Sequence, residues 1–380
     1  MDFSLPEELE MIRTTVRGFV DKDLRPLEKQ IEEAGCVEPE VLKGLRKRAA
    51  ELGIYAHNLP ESVGGGGLSM IGQVAVAEEL GRTTIALSRT AGYLPALLAY
   101  CKDHQRDWFL DPLISGDKFV TYAITEPDGG SDVGAMKTRA KKTDGGWVLN
   151  GSKAFVSNVD IADWVIVVAA TDPAASMRGR FTLFIVDKKN PGFHFQRNIK
   201  KMGWRGAEYC AFSLDDCKVP DEHVLGEVNG GFELIMYAVN LTRVHLAGIY
   251  VGMGVEALAQ ATSYAKERKT FGKRLADHQA IQFMVADIDC ELQAARLLAY
   301  AAAQAVDEKK PDMRIAASRA KVFASEMAFR ATDRALQIHG AAGFSCDYPI
   351  ERMFRDSRAF RIGEGTSEMQ RIQIARHVLG

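Results

Sequence analysis

The chain has 380 residues, of which 47% are hydrophobic and 26% are charged, as is ordinary for a globular protein of two or three domains. Its formal net charge of −2 gives no electrostatic basis for binding nucleic acid or an anionic membrane surface. We predict no membrane span, because no consecutive apolar run reaches transmembrane length. No secretory signal opens the chain, and the six cysteines are scattered without a CxxC pair. We therefore expect a reducing compartment and no metal site.

The first segment of the chain, up to about residue 115, has the apolar spacing of helices. Ser4 and Glu7 have the spacing of a capping box, and we expect a helix to follow them. Further helical patterns cover residues 41–52, 71–80 and 94–100. The sequence therefore predicts an N-terminal helical domain.

The middle segment, residues 119–226, has the alternation and the β-branched residues that are typical of strands. The tripeptide at 144–146 (Asp-Gly-Gly) lies between two strand-like runs and predicts a hairpin turn. The apolar runs at 164–168 and 181–186 predict buried strands. This segment is therefore expected to form a small β domain.

The C-terminal segment returns to the helical period, with three long patterns at 232–266, 278–309 and 313–338. Alanine is dense in the last two, as in closely packed helix bundles. The order of helices, then strands, then helices favours an α+β protein and lacks the βαβ alternation of a Rossmann fold.

Two motifs in the middle segment suit the binding of a flat polar ligand. At 122–132 (YAITEPDGGSD) a strand ends in a turn with free backbone N–H groups and hydroxyls. At 150–158 (NGSKAFVSN) an aromatic side chain and a hydroxyl occupy successive strand positions, hence opposite faces, and the aromatic can line one side of a cofactor ring. The alternatives are a structural turn and an ordinary core strand.

Three further motifs lie in the C-terminal segment. In 267–273 (ERKTFGK), the planar fork of Arg268 suits a pyrophosphate, and 337–344 (QIHGAAGF) is a glycine-rich helix end with open backbone. The alternatives are a charged helix end and a plain C-cap. At 362–367 (IGEGTS), Glu364 lies between two glycines, which suits a kinked turn that presents a carboxylate to a ligand, with a solvated surface loop as the alternative.

Taken together, the order and spacing of these motifs resemble the acyl-CoA dehydrogenase family over nearly the whole chain. The resemblance implies an α+β fold with an N-terminal helical domain (1–117), a middle β-barrel-like domain (118–228) and a C-terminal four-helix bundle (229–380). It also implies FAD as cofactor, an acyl-CoA substrate, an electron-transferring flavoprotein as electron acceptor, and a homotetramer. The expected location is the bacterial cytoplasm, or the mitochondrial matrix if a transit peptide precedes this sequence.

The family's binding residues carry over to the matching positions of this chain. Those that would meet the flavin or the nearby thioester are Tyr122, Ile124, Thr125, Gly130 and Ser131. Those that would line the isoalloxazine are Phe155, Val156 and Ser157. Those that would hold the rest of FAD, some from a neighbouring subunit, are Arg268, Phe271, Gln279, Gln337, Gly340, Ala341, Thr366 and Glu368. Those that would meet the acyl-CoA are Ser131, Asn240, Arg243, Gly363 and Gly365.

The resemblance also implies the reaction, which is α,β-dehydrogenation of an acyl-CoA thioester to the 2-enoyl-CoA. Glu364 would take the α-proton while the β-hydrogen leaves as a hydride to flavin N5. Some branches of the family carry the base at the position of Thr242, which is not an acid here, so we prefer Glu364. The alternatives are an enoyl-CoA reductase working in the reverse direction, an acyl-CoA oxidase, and a non-catalytic CoA-binding member.

Departures from the family pattern bear on the acyl group. The residue before the base is often tyrosine; Gly363 lacks that ring, which predicts room for a branched, cyclic or aryl-substituted acyl group. Phe155 replaces a frequent tryptophan beside the flavin, and Asn240 a frequent aspartate near CoA. Arg89 lies in a segment that lines the acyl pocket in relatives; we favour a surface arginine after a helix over one that pairs with a distal substrate carboxylate.

Overall fold

The computed structural model describes residues 5–90 and 92–380, so Ser4 and the capping box proposed on it lie outside the described residues. The N-terminal part is helical, as the apolar spacing predicts. Its helices are α1 (Glu7–Phe19), α2 (Glu28–Ala34), α3 (Pro39–Glu51), α4 (Met70–Leu80), α5 (Ile85–Thr90) and α6 (Asp111–Ile114). Helix α4 begins at a cap in which the Ser69 hydroxyl accepts the backbone N–H of Gly72 at 3.2 Å.

The middle part of the chain contains strands joined into one eight-stranded sheet. In chain order they are β1 (Val120–Ala123), β2 (Arg139–Thr143), β3 (Gly146–Ser157), β4 (Trp164–Ala170), β5 (Phe181–Asp187), β6 (Phe193–Ile199), β7 (Tyr209–Pro220) and β8 (Val224–Leu225), with the short helix α7 (Met177–Arg180) before β5. The spatial order is β6-β7-β3-β2-β4-β5-β8, and β1 pairs in parallel with β4. Strands β2 and β3 form the predicted hairpin around Gly145, whose φ of 76° suits glycine.

The C-terminal part is a helical bundle. Its long helices are α8 (Gly231–Glu267), α9 (Gln279–Asp307) and α10 (Met313–His339), followed by α11 (Ile350–Phe360) and α12 (Ser367–Leu379). A two-strand hairpin, β9 (Lys269–Thr270) and β10 (Lys273–Arg274), separates α8 from α9. The α+β class and its arrangement of helical, β and helical parts are therefore confirmed.

Helix α8 is the centre of the molecule. A Cβ added at Gly252 would lie 2.0 Å from the backbone oxygen of Glu78 in α4, so these helices approach closely only because glycine stands there. Helix α8 is long and apolar enough to cross a membrane, because an 18-residue window within it has a mean hydropathy of 1.3. That window contains charged or polar residues, so it is not an unbroken apolar run. Within the structure 61% of the window is buried, as in a core helix of a bundle.

Candidate functional site

Glu364 lies in the short turn between α11 and α12, and its backbone is left-handed. Its φ is +55° and that of Gly365 is +85°, a region that non-glycine residues seldom adopt. Two helices hold the turn: the Arg243 Nε of α8 donates to the Glu364 carbonyl at 2.9 Å, and the Lys321 Nζ of α10 donates to the Gly365 carbonyl at 2.9 Å. Such over-determined strain is found where function requires one side-chain direction.

The carboxylate of Glu364 meets the middle domain. The Tyr122 hydroxyl at the end of β1 donates to Glu364 Oε1 at 3.0 Å. Burial, and then the negative charge of Glu364, raise the pKa of the Tyr122 phenol well above its ordinary value. The phenol therefore stays neutral at physiological pH and acts as a hydrogen-bond donor to the carboxylate.

The two predicted flavin motifs of the middle domain are brought together. Backbone N–H of Ala154 donates to the Thr125 carbonyl at 3.1 Å, and the fully buried Lys153 Nζ donates to the Ile124 carbonyl at 3.0 Å. Tyr122, Ile124 and Thr125 are therefore adjacent to the strand that carries Phe155, Val156 and Ser157. Gly130 and Ser131 lie exposed on the turn that follows Thr125.

This face fits a flat ring. Phe155 has a φ of +57° and is 53% exposed, so its aromatic ring stands out from the surface of β3. The next two residues are less exposed: Val156 is buried and Ser157 is half-buried. A Cβ at Gly130 would meet nothing nearer than Thr125 Cγ2 at 3.9 Å. The open backbone and the exposed aromatic edge leave space where an isoalloxazine could lie.

A second group of predicted FAD residues lies elsewhere on the chain. Arg268, Phe271 and Gln279 are exposed around the β9–β10 hairpin, and Gln337, Gly340 and Ala341 are exposed at the end of α10. Within the described residues, no hydrogen bond, ion pair or ring contact joins any of them to Glu364. Phe271 is 97% exposed with a φ of +49°, so its ring is held outwards, with its centroid 6.3 Å from that of the His278 ring.

The remaining predicted residues surround the Glu364 turn. Thr366 caps α12, where its hydroxyl accepts the Met369 N–H at 3.2 Å, and Glu368 is exposed in the first turn. Asn240 and Arg243, predicted to meet the acyl-CoA, are each 4% exposed, and Arg243 Nη1 donates to Asn240 Oδ1 at 2.9 Å. Arg243 thus supports the backbone of Glu364, which the sequence did not indicate.

Beside Glu364, the structure leaves space. Apart from its two chain neighbours, the described residues bring only the Ala359 carbonyl within 4 Å of a Cβ at Gly363, at 3.8 Å. Thr242, the alternative base position, lies on α8 with its hydroxyl 3.4 Å from that of the half-buried Tyr93. A bulky group next to Gly363 would therefore meet open volume.

Arg89 differs from the expectation. It is not a surface arginine: it is half-buried, and its Nη1 lies 3.3 Å from the hydroxyl of Ser157. Lys321 is fully buried beneath the Glu364 turn, and a lysine in an alanine-rich helix gives no sign of such burial in the sequence. Burial, and then the charge of Arg243, lower the pKa of Lys321 to about 8.

Three comparisons bear on identity. Residues 6–117, 121–217 and 229–379 match the N-terminal, middle and C-terminal domains of acyl-CoA dehydrogenases. The chain is 38% identical to subunit CarC of the caffeyl-CoA reductase–Etf complex of Acetobacterium woodii, over 98% of each chain. It is 37% identical to the 3-(aryl)acrylate reductase of Clostridium sporogenes, over 98% of this chain and 99% of that one. Its fold superposes on butyryl-CoA dehydrogenase from Megasphaera elsdenii with a TM-score of 0.93 and 33% identity, over 100% of both.

Proposed function

Because this chain belongs to the acyl-CoA dehydrogenase family of FAD-dependent oxidoreductases, we propose that it converts an acyl-CoA thioester into the 2-enoyl-CoA with Glu364 as the α-proton base. FAD is its cofactor. The observation that carries the proposal is the fixed position of Glu364, whose carboxylate is held by Tyr122 while α8 and α10 hold its backbone. A base that is already oriented needs little reorganisation to reach the α-carbon.

The residues of the site have separate roles in this reaction. Glu364 Oε1 accepts the Tyr122 hydroxyl, which leaves the other carboxylate oxygen free to take the α-proton. The exposed Phe155 ring and the backbone around Gly130 would orient the isoalloxazine against β3. The chemistry that bound FAD would supply there is a hydride acceptor for the β-hydrogen. Arg243 and Lys321, held under the turn, would keep the base from moving during proton transfer.

We further propose a branched, cyclic or aryl-substituted acyl group as substrate. The open space at Gly363 supports this, because a ring on the substrate could occupy it. The names of the two bacterial relatives point the same way, since one reduces caffeyl-CoA and the other 3-aryl acrylates. An electron-transferring flavoprotein is the proposed electron acceptor, supported by the complex with Etf that the first relative forms.

The second candidate function is the reverse reaction, reduction of a 2-enoyl-CoA. The same two relatives favour it, because both are named as reductases. Flavin reduction by 3-phenylpropanoyl-CoA and reoxidation of the reduced flavin by cinnamoyl-CoA, each followed anaerobically, would show which direction runs faster. A non-catalytic member would bind CoA esters and change flavin absorbance in neither experiment, whereas an oxidase would form peroxide rapidly in air.

A homotetramer in the bacterial cytoplasm, or in the mitochondrial matrix, completes the proposal. The exposed Arg268, Phe271 and Gln337 support the assembly, because among the described residues no hydrogen bond or ion pair joins these predicted FAD residues to Glu364, and a neighbouring subunit could meet them. Light scattering should then give about four times the chain mass of 41.8 kDa. A monomer that binds FAD tightly would contradict the tetramer.

Glu364→Gln tests the central assignment. The amide keeps the size and the hydrogen-bonded position of the side chain but cannot take a proton, so flavin reduction by an acyl-CoA should fall at least about 1000-fold. The flavin content and visible spectrum should not change. Glu33→Gln is the matched control, since Glu33 on α2 is 69% exposed and far from the turn in sequence. Near-normal flavin reduction by the Glu364 variant would refute the role of base.

A further inference from the structure

A buried lysine of β3 lies behind the first flavin motif. The side chain of Lys153 is fully buried, and its Nζ donates to the Ile124 carbonyl and to Glu126 Oε1, each at 3.0 Å. A buried ammonium is tolerated when it is paired and hydrogen-bonded, and these two acceptors provide both conditions. Burial lowers the pKa of Lys153 to about 8 and the charge of Glu126 opposes that fall, so the ammonium is charged at neutral pH.

The carboxylate of Glu126 is also held by the backbone that leads into β2. Its Oε2 accepts the Lys137 N–H at 2.7 Å, and its Oε1 accepts the Thr138 N–H at 2.9 Å. The backbone of Glu126 forms two further bonds with Gly129, at 3.0 and 3.1 Å, which close the turn. The negative charge is therefore shared among three side-chain hydrogen bonds, and Lys153 is the one charged donor of the three.

The carbonyl that Lys153 binds belongs to the peptide group between Ile124 and Thr125. The N–H of the same peptide group is that of Thr125, and among the described residues it is hydrogen-bonded to no acceptor. The pairing of β1 with β4 ends at Ala123, so this N–H lies beyond the sheet. A half-buried N–H without an acceptor is available to a ligand.

An isoalloxazine would offer acceptors to this N–H. Thr125 lies beside the strand that carries the exposed Phe155 ring, because the Ala154 N–H donates to the Thr125 carbonyl at 3.1 Å. The polar edge of a flavin ring has carbonyl oxygens and ring nitrogens that accept hydrogen bonds. Reduction adds negative charge to that edge, so a strong donor there stabilises the reduced ring more than the oxidised ring.

We propose that Lys153 is a positioning residue that acts on the flavin through the Ile124–Thr125 peptide group, whose N–H it strengthens as a donor to the reduced ring. Hydrogen bonds in a chain polarise one another, and an ammonium on the carbonyl makes the N–H of the same peptide group more acidic. The consequence is a higher reduction potential of the bound FAD. This inference rests on the proposed place of the flavin against β3, and it is independent of the acyl group.

Structural support of the turn at 124–131 is the alternative role of Lys153. Support alone would strengthen the binding of oxidised and reduced FAD equally, and the flavin potential would not change. The proposed role strengthens the binding of reduced FAD more than that of oxidised FAD. The midpoint potential therefore separates the two roles, whereas enzymatic activity would fall in both cases.

The test compares three variants with the wild-type holoenzyme. Lys153→Met removes the ammonium and keeps an unbranched side chain. The double variant Lys153→Met with Glu126→Gln removes both charges, so no unpaired carboxylate stays buried. Lys142→Met is the control, because Lys142 on β2 is 51% exposed and pairs with Asp221 at the surface. The midpoint potential is measured by equilibration with redox dyes in the absence of any acyl-CoA, and FAD release on dilution is followed by flavin fluorescence.

In the double variant, the preference for reduced over oxidised FAD should fall about 10-fold, which corresponds to a two-electron potential about 30 mV lower. Lys153→Met should shift the potential in the same direction, and Lys142→Met should leave it unchanged. If Lys153→Met fails to fold, the double variant decides alone. An unchanged potential in the double variant, or loss of its FAD altogether, would overturn the inference in favour of structural support. Failure of acyl-CoA esters to reduce the wild-type flavin would instead contradict the proposed function, because the potential is measured without them.

Discussion

Filling the space beside Glu364, the proposed base, should exclude ring-bearing substrates. In Gly363→Tyr, the new Cβ would have only the Ala359 carbonyl nearby, at 3.8 Å, and the backbone is not left-handed, so the side chain can be accommodated. A phenyl group displaced from this space would leave about 100 Å² of apolar surface in water, somewhat less than a buried aromatic side chain covers. At roughly 25 cal/mol per Å² this is about 2.5 kcal/mol, or roughly 70-fold in specificity.

The assay is stopped-flow anaerobic flavin reduction with 3-phenylpropanoyl-CoA and with butyryl-CoA. The ratio of their second-order rate constants should fall about 70-fold in Gly363→Tyr, mainly through loss of the aryl substrate. Gly363→Ala, which adds a methyl group in open space, should leave the ratio nearly unchanged. An unchanged ratio in Gly363→Tyr, or an equal loss for both esters, would show that the acyl ring does not lie beside Gly363.

Three further predictions concern the support of the site. Arg243→Gln should slow flavin reduction about 10- to 100-fold without loss of FAD, measured by stopped flow, because it removes a charge-assisted bond to the Glu364 carbonyl. Glu126→Ala should lower the free energy of unfolding by about 3–5 kcal/mol in urea titrations, since it leaves the buried Lys153 without its acid; a loss below 1 kcal/mol would contradict this. Burial raises the pKa of Asp356 to about 6 from its usual 3.8, so the folded chain holds this proton more tightly than the unfolded one. The free-energy cost of ionising Asp356 in the folded chain is absent below pH 4 and fully present above pH 6. Asp356→Asn removes that cost, so it should raise the free energy of unfolding by up to about 3 kcal/mol at pH 8 and by almost nothing at pH 4.

The sequence was most informative where local patterns decide structure. Helices α8, α9 and α10 were predicted within two residues of most of their ends, because long apolar periods leave little choice of element. The hairpin at Gly145 followed from its turn residues alone. These features depend only on residues that are close together in the sequence.

The details of the site depend on contacts that no local pattern encodes. Phe155, Phe271 and Glu364 all have positive φ, although none is glycine, because tertiary packing imposes a backbone that propensity disfavours. The burial of Lys321 under Gly365 comes from the contact of α10 with the turn that carries Glu364. Arg89 was assigned to the surface because its sequence neighbours do not reveal that β3 lies over the end of α5.

The bond between Tyr122 and Glu364 joins residues 242 positions apart. The site therefore exists only after the middle and C-terminal parts have docked, and a chain with complete helices but undocked domains contains no aligned base. Contacts of such long sequence separation form late, because the loop they close costs much chain entropy. Return of turnover during refolding should thus lag behind the return of helical circular dichroism, which makes enzymatic activity a reporter of the final docking step.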